Sequence, residues 1–254
     1  MPEYRIYALK YAGPFVRSQA MLVWMKNWES TDKINYYIWY LQGSADGVVV
    51  DTGVAPAVAE ERQLPGYISP AKALGRIGVQ ADAVRHVVLT HLHWDHACGV
   101  SLFPKATFYV QEDEYHFWLN DPIALRPPFQ YLSHQSYKDY LADLEGTDRL
   151  VLLRGDQEIL PGVECLLAPG HTPGLQVVAA QTARGTAIIA SDAGHVFRNF
   201  DEDWPSALFT DLRAVMRTYD KLRARTDRSL IFPGHDMLLL ERYPSVAEDV
   251  TRLA

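Results

Sequence analysis

The run His91-Leu92-His93-Trp94-Asp95-His96 sets three imidazoles and a carboxylate directly behind the apolar stretch Val87-Val88-Leu89-Thr90. Nitrogen and oxygen donors at this density are the ligands of a metal centre, and their spacing says how they divide. In an extended segment side chains alternate between faces, so His91 and His93 point the same way. A helix starting behind them swings Asp95 and His96 to another side of the same pocket. One loop can then serve two adjacent metals.

Four further stretches repeat the design of an apolar strand ending in a candidate ligand. Strand 46–51 ends in Asp51-Thr52-Gly53, and strand 163–168 runs into Pro169-Gly170-His171-Thr172-Pro173-Gly174. Strand 186–190 runs into Ser191-Asp192-Ala193-Gly194-His195, and strand 230–232 into Pro233-Gly234-His235-Asp236. Ligands of α/β sheets gather at strand ends, where loops are free to vary. His91, His93 and His171 supply three nitrogens, the protein set of a catalytic zinc with an open fourth position. Asp95, His96 and His235 form a second set of three. Asp192 has two oxygens and can bridge the two. A pair of metals about 3.5–4 Å apart suits hydrolysis at a carbonyl or phosphoryl centre. The absence of a thiolate from the set favours two Zn²⁺, with Fe²⁺, Mn²⁺ or Co²⁺ as substitutes. Asp51 is read as a carboxylate that orients a ligating histidine. His86, His116 and His134 are read as structural or surface groups, and Cys98 as a small buried group.

The elements that must position these residues alternate along the chain. Residues 4–10 open as a strand. Residues 35–41 and 47–51 flank a Gly-Ser-Ala-Asp turn and read as a hairpin. Ser69-Pro70 starts a short helix, and strand 86–90 delivers the histidine loop. Further strands are expected at 107–111, 150–153, 163–168, 175–180 and 186–191. Residues 206–224 carry Leu208, Leu212, Val215, Met216, Tyr219 and Leu222 on one helical stripe. Residues 11–34 hold no clear period. They are rich in large apolar groups that suit core, a dimer contact or a pocket wall. Strands alternating with helices over the whole length predict an α/β fold and one domain over 1–254.

Composition narrows the partners. The 254 residues are 48% hydrophobic and 22% charged, ordinary for a globular protein, with a formal net charge of −7. That charge disfavours nucleic acid, whose phosphates select basic surfaces. No apolar run reaches the roughly 18–20 residues of a membrane span. The start of the chain lacks the pattern of an export signal, and two cysteines without a CxxC pair fit a cytoplasmic protein.

With the ligands in the order HxHxDH, His, Asp, His, the chain resembles the metallo-β-lactamase superfamily of hydrolases. Within it, the chain resembles the N-acyl-homoserine lactonase branch, the quorum-quenching lactonases. The likeness includes Asp51-Thr52-Gly53, the PGHTPG turn at 169–174, Asp192, the stretch Asn199-Phe200-Asp201-Glu202 with Pro205, and Gly234-His235-Asp236. It implies an αβ/βα four-layer sandwich, two mixed β-sheets flanked by helices. It also implies a metal-dependent hydrolase that opens a lactone by attack of metal-bound hydroxide on the ester carbonyl. Asp95 would shuttle a proton to the departing ring oxygen. Lactonases of this branch commonly carry a tyrosine three residues after the bridging aspartate. Here that position is His195, whose imidazole can donate the same hydrogen bond to the carbonyl. The alternatives are another cyclic ester or amide (a pyridoxolactone-like ring), a thioesterase, or a metal-holding binding protein. The expected partner is a small-molecule lactone, with a homodimer possible. Specificity is expected in residues 11–34 and 120–135, with Phe129 and Tyr131.

Overall fold

A computed structural model of the protein describes residues 3–43 and 47–254. One sheet is built from β1 (Arg5–Ser18), β2 (Thr31–Gln42), β3 (Val48–Val50), β4 (His86–Val88), β5 (Thr107–Gln111) and β6 (Leu150–Leu153). It is completed by β12 (Ser245–Ala247) and β13 (Val250–Arg252). The other contains β7 (Gln157–Leu160), β8 (Val163–Leu167), β9 (Gln176–Thr182), β10 (Gly185–Ser191) and β11 (Ile231–Pro233). Their strand orders are β12-β13-β1-β2-β3-β4-β5-β6 and β11-β10-β9-β8-β7. Both are mixed: β3 to β6 run parallel in the first, and β10 and β11 in the second.

Apolar alternation sorts side chains into layers. Val48 and Val50 join Val88, Val178, Ala180, Ala187, Ile189 and Phe232 in a cluster fed by both sheets. Val49, Val87, Phe108 and Val110 point to the opposite face, against Leu74, Tyr115, Trp118, Tyr137 and Leu141 of the helices. Val177, Ala179, Ile188 and Ala190 pack on Val215, Tyr219 and Leu222 of helix Leu212–Arg225. The result is helix, sheet, sheet, helix, the expected four-layer sandwich. Burying an aliphatic side chain of this kind contributes about 1.5–3 kcal/mol. Because β10 is apolar on both faces, a one-residue slip would lose little of that. Its register rests on the tight turn at Ala183-Arg184, where Gly185 pairs with Thr182 and the Thr182 hydroxyl donates to the Gly185 carbonyl at 2.7 Å. That register decides where Asp192 emerges.

Three expectations need correction. Residues 11–34 are not irregular: β1 runs to Ser18 and β2 starts at Thr31, forming a long antiparallel arm. Register shifts between Lys10 and Ala12 and between Ala12 and Phe15 break its alternation, which hid the period. The helix expected at 206–224 begins only at Leu212, where the Asp211 side chain accepts from the Ala214 amide at 3.1 Å and caps it. Residues 206–211 are freed to face the ligand loops. The strand expected at 86–90 pairs only as far as Val88. The hairpin of β2 and β3 is present, but Ser44, Ala45 and Asp46 of its expected turn lie outside the described residues. Among the described residues, no helix is long and apolar enough to cross a membrane.

Candidate metal centre

The ligand loops leave the ends of both sheets and meet at their seam. Leu89 and Thr90 carry the chain from β4 to His91 and His93, and helix Trp94–Ala97 then turns Asp95 and His96 away. His171 follows β8, Asp192 and His195 follow β10, and His235 follows β11. Backbone bonds join the sheets at the seam, Gln176 N to Thr90 O at 2.8 Å and Asn35 N to His235 O at 3.0 Å, and tie neighbouring loops, Thr52 N to His96 O at 2.8 Å and His235 N to His195 O at 2.9 Å.

All seven residues expected as ligands come together, in two groups. The ligand atoms of His91, His93, His171 and Asp192 lie within 4.8 Å of one another, as do those of Asp95, His96 and His235. Asp192 stands between the groups. Its Oδ2 faces His171 Nε2 at 3.4 Å and His91 Nε2 at 3.8 Å. Its Oδ1 faces His235 Nε2 at 2.9 Å and His96 Nε2 at 3.4 Å. Each oxygen thus belongs to a different group. Asp95 Oδ2 is 3.7 Å from His96 Nε2 and 3.8 Å from His235 Nε2.

The inward nitrogens fit cations. His91 Nε2 and His96 Nε2 are buried and have no hydrogen-bond partner. A buried polar atom left so is costly, and a cation in each group, accepting the lone pair there, removes the cost. The outward nitrogens are held: His96 Nδ1 by Asp51 Oδ2 at 2.7 Å, His171 Nδ1 by the Leu208 carbonyl at 2.7 Å, and His235 Nδ1 by the Asn35 carbonyl at 3.0 Å. Such bonds select the tautomer that presents the other nitrogen inward.

Charge differs between the groups. Burial, reinforced by neighbouring imidazoles, pushes His91 and His93 well below the usual histidine range and lowers His171 as well. These stay neutral; His171 Nε2 and His93 Nδ1 meet at 3.0 Å. Burial also opposes the charged forms of His96 and His235, but the carboxylates win. Asp95, Asp192 and Asp51 raise His96, and Asp192 and Asp95 raise His235. Burial likewise opposes ionisation of Asp192, yet His235, His195 and His96 hold its carboxyl well below the usual range. His195 is buried with Nε2 3.3 Å from Asp192 Oδ2, and burial takes its pKa down to about 3. It is a neutral imidazole at physiological pH.

Supporting residues that sequence reading overlooked are as informative as the ligands. Thr90 donates its amide and hydroxyl to Asp51 at 2.7 and 2.8 Å, fixing the carboxylate that holds His96. Asp51 and Ser191 both have left-handed backbones, φ 59° and 46°, a local cost of about 1–3 kcal/mol each borne at strand ends beside the centre. Glu114 is fully buried. It accepts from the Leu92 amide at 2.9 Å, the Trp118 indole at 2.7 Å and the Gly174 amide at 3.0 Å. It therefore pins the loops of His91/His93 and His171 to one helix. In sequence it is one of three acids in a helix first turn, the usual solvated pattern, and nothing there marks it as inward. Two glycines are required by close approach. A Cβ at Gly234 would sit 2.4 Å from Asp192 Oδ1, and one at Gly174 would sit 2.2 Å from the Glu114 amide nitrogen.

A cavity of about 390 Å³ opens beside the first group, lined by His93, His171, Trp118, Phe129, Leu132 and Phe209, among others. Cys98 stays outside the centre, its thiol buried and pushed up to about 12. His86, His116 and His134 bond elsewhere, to Tyr109, Asn120 and Glu61 respectively.

The sequence and the fold that carry these two groups have known relatives. The family model of the metallo-beta-lactamase superfamily matches residues 32–235. The chain belongs to that superfamily. A curated superfamily relative, the N-acyl homoserine lactonase of Bacillus thuringiensis, is 28% identical over 199 residues, 77% of this chain and 71% of that protein. The crystal structure of a quorum-quenching N-acyl homoserine lactone lactonase superposes with a TM-score of 0.79 at 22% identity, covering 97% of this chain and 98% of that one. AidC, a dizinc quorum-quenching lactonase solved with the product N-hexanoyl-L-homoserine, gives a TM-score of 0.72 at 18% identity, covering 92% and 90%.

Proposed function

We propose that the protein is a dinuclear-metal hydrolase that opens the ring of an N-acyl-homoserine lactone. The observation that carries this reading is Asp192, with one carboxylate oxygen toward His91 and His171 and the other toward His96 and His235. We assign His91, His93 and His171 to one metal, Asp95, His96 and His235 to the other, and Asp192 to both. Zn²⁺ suits this set, and Fe²⁺, Mn²⁺ or Co²⁺ can substitute. Bound there, two ions supply Lewis acidity for the ester and a water of lowered pKa.

The chain's own groups do the rest. His195, neutral and buried beside Asp192, donates a hydrogen bond to the ester carbonyl oxygen. Asp95, whose side chain is the most exposed of the carboxylates here at 12%, passes a proton to the ring oxygen as the ester bond breaks. The products are one hydroxy acid and no other fragment. The cavity bounded by Trp118, Phe129, Leu132 and Phe209 takes the acyl chain, excluding water and giving apolar contact. Both sheets contribute ligands, which supports reading the chain as one functional domain.

The test is a hydrolysis screen over homoserine lactones of varied acyl length, simple γ- and δ-lactones and pyridoxolactone, before and after removal of metal by a chelator. The expected result is turnover of acylated homoserine lactones, lost on chelation and restored by Zn²⁺. Activity that survives complete metal removal, or turnover confined to pyridoxolactone, overturns the reading.

A further inference from the structure

The side of the centre formed by Asp95 and His235 is walled by an aromatic group that the assignment above leaves without a task. Tyr36 stacks on Phe15, ring centroids 4.2 Å apart at 30°. Its edge meets His235 at 5.1 Å and Trp94 at 5.7 Å. The ring is buried and held on several sides. Its hydroxyl accepts a hydrogen bond from Arg17 Nη2 at 3.2 Å, and among the described residues that hydroxyl makes no other. Arg17 lies on the same arm, over the Phe15 ring at 5.1 Å, and donates also to the Val16 carbonyl.

A phenol is both donor and acceptor. Here a cation occupies the acceptor side, and the phenolic proton has no protein acceptor. A hydroxyl that receives a hydrogen bond from a guanidinium is polarised into a better donor. A phenol, ordinarily titrating at about 10, keeps its proton at neutral pH. The ring stands against His235, on the Asp95 side of the centre, and an immobile neutral donor on the side where negative charge develops can stabilise an oxyanion.

We propose that the Tyr36 hydroxyl, oriented by Arg17, donates a hydrogen bond to the ring oxygen of the lactone as that oxygen departs on the Asp95–His235 side. The inference rests on the lactonase reading. Tyr36 keeps its proton throughout: the carbonyl carbon gains an oxygen from water, its bond to the ring oxygen breaks, and Asp95 delivers the proton to the resulting alkoxide. Tyr36 is therefore a second donor, on the leaving-group side, complementary to His195 beside Asp192.

The experiment compares wild type, Tyr36→Phe and Arg17→Met in the zinc-loaded protein. It measures kcat and KM for a homoserine lactone and for the corresponding homocysteine thiolactone, with metal content and melting temperature. Loss of one preorganised donor lowers kcat on the lactone by about 10²–10³-fold. On the thiolactone the loss is expected to stay within about tenfold, because a departing thiolate is a weak hydrogen-bond acceptor. Arg17→Met, which leaves the hydroxyl but releases its orientation, should lower kcat on the lactone by about tenfold. Both variants should hold the same metal and melt at the same temperature as wild type. Equal losses on the two substrates, kcat within about twofold of wild type, or loss of metal in Tyr36→Phe would each overturn the proposal. A wild type that opens no lactone removes the lactonase reading itself, whereas an active wild type with an unaffected Tyr36→Phe removes this inference alone.

Discussion

Glu114 touches no proposed ligand side chain, yet the geometry makes it a principal support of the centre. Consider Glu114→Gln. The amide oxygen can keep the two bonds that Oε1 receives, from the Leu92 amide and the Trp118 indole. The amide nitrogen then faces the Gly174 N–H, donor against donor. One buried N–H without an acceptor costs about 1–3 kcal/mol. The reverse orientation loses two bonds and costs more. Burial raises the pKa of Glu114 while the hydrogen bonds it accepts oppose that shift. A neutral amide relieves the burial, so the net effect lies toward the smaller figure. At about 2–4 °C per kcal/mol for a chain of this size, the melting temperature should fall by roughly 2–12 °C. Glu114→Ala strands all three donors, about 3–9 kcal/mol, comparable to the whole stability of a typical domain at about 5–15 kcal/mol. Leu92 lies between His91 and His93, and Gly174 closes the turn that bears His171. Loosening both should weaken metal binding by about 10–100-fold, as for other groups that orient ligands. The assay is thermal melting with saturating zinc and with chelator, together with metal content after dialysis. Ligand that binds only the folded state raises its stability, so the gap between the two melting curves should narrow in Glu114→Gln. An unchanged melting temperature with an unchanged gap would refute the reasoning.

Two more outcomes follow from the same geometry. Asp51→Ala removes the acceptor from His96 Nδ1 and from Thr90. It should weaken the metal of the Asp95–His96–His235 group by about 10–100-fold and the other group less, through Thr90, whose hydroxyl meets His91 Nδ1 at 3.1 Å; metal titration measures both, and equal weakening would count against it. Metal release on acidification should be ordered. His96 and His235 have raised pKa values, so protons compete for them at higher pH. His91, His93 and His171 have lowered values and resist protonation. Stepwise dialysis below neutral pH should empty the second group first; simultaneous loss, or the reverse order, contradicts the assignment.

What the sequence determined by itself was chemistry and order. Three imidazoles and a carboxylate in residues 91–96, then His171, Asp192 and His235 each behind an apolar strand, point to a candidate ligand set, because metal donors are few in type and strand ends are where loops can carry them. Short valine runs gave away β3 and β4, since a strand packed on both faces is apolar throughout; elsewhere the signal is period two. The arm of β1 and β2 stayed hidden because register shifts interrupt that period. The late start of helix Leu212–Arg225 stayed hidden because a capping aspartate is indistinguishable in sequence from a solvated one.

Only the tertiary structure decided which way each donor faces. That Asp192 turns one oxygen to each group depends on the register of β10 and on Gly234 admitting the carboxylate. That Glu114 points inward and that the Tyr36 ring meets His235 depend on helix docking and on the path of a long hairpin, both set by packing among residues distant in sequence. Residue types and spacing constrain local geometry over a few positions. The orientation of buried polar groups is a property of the closed fold, where each must find a partner from another part of the chain.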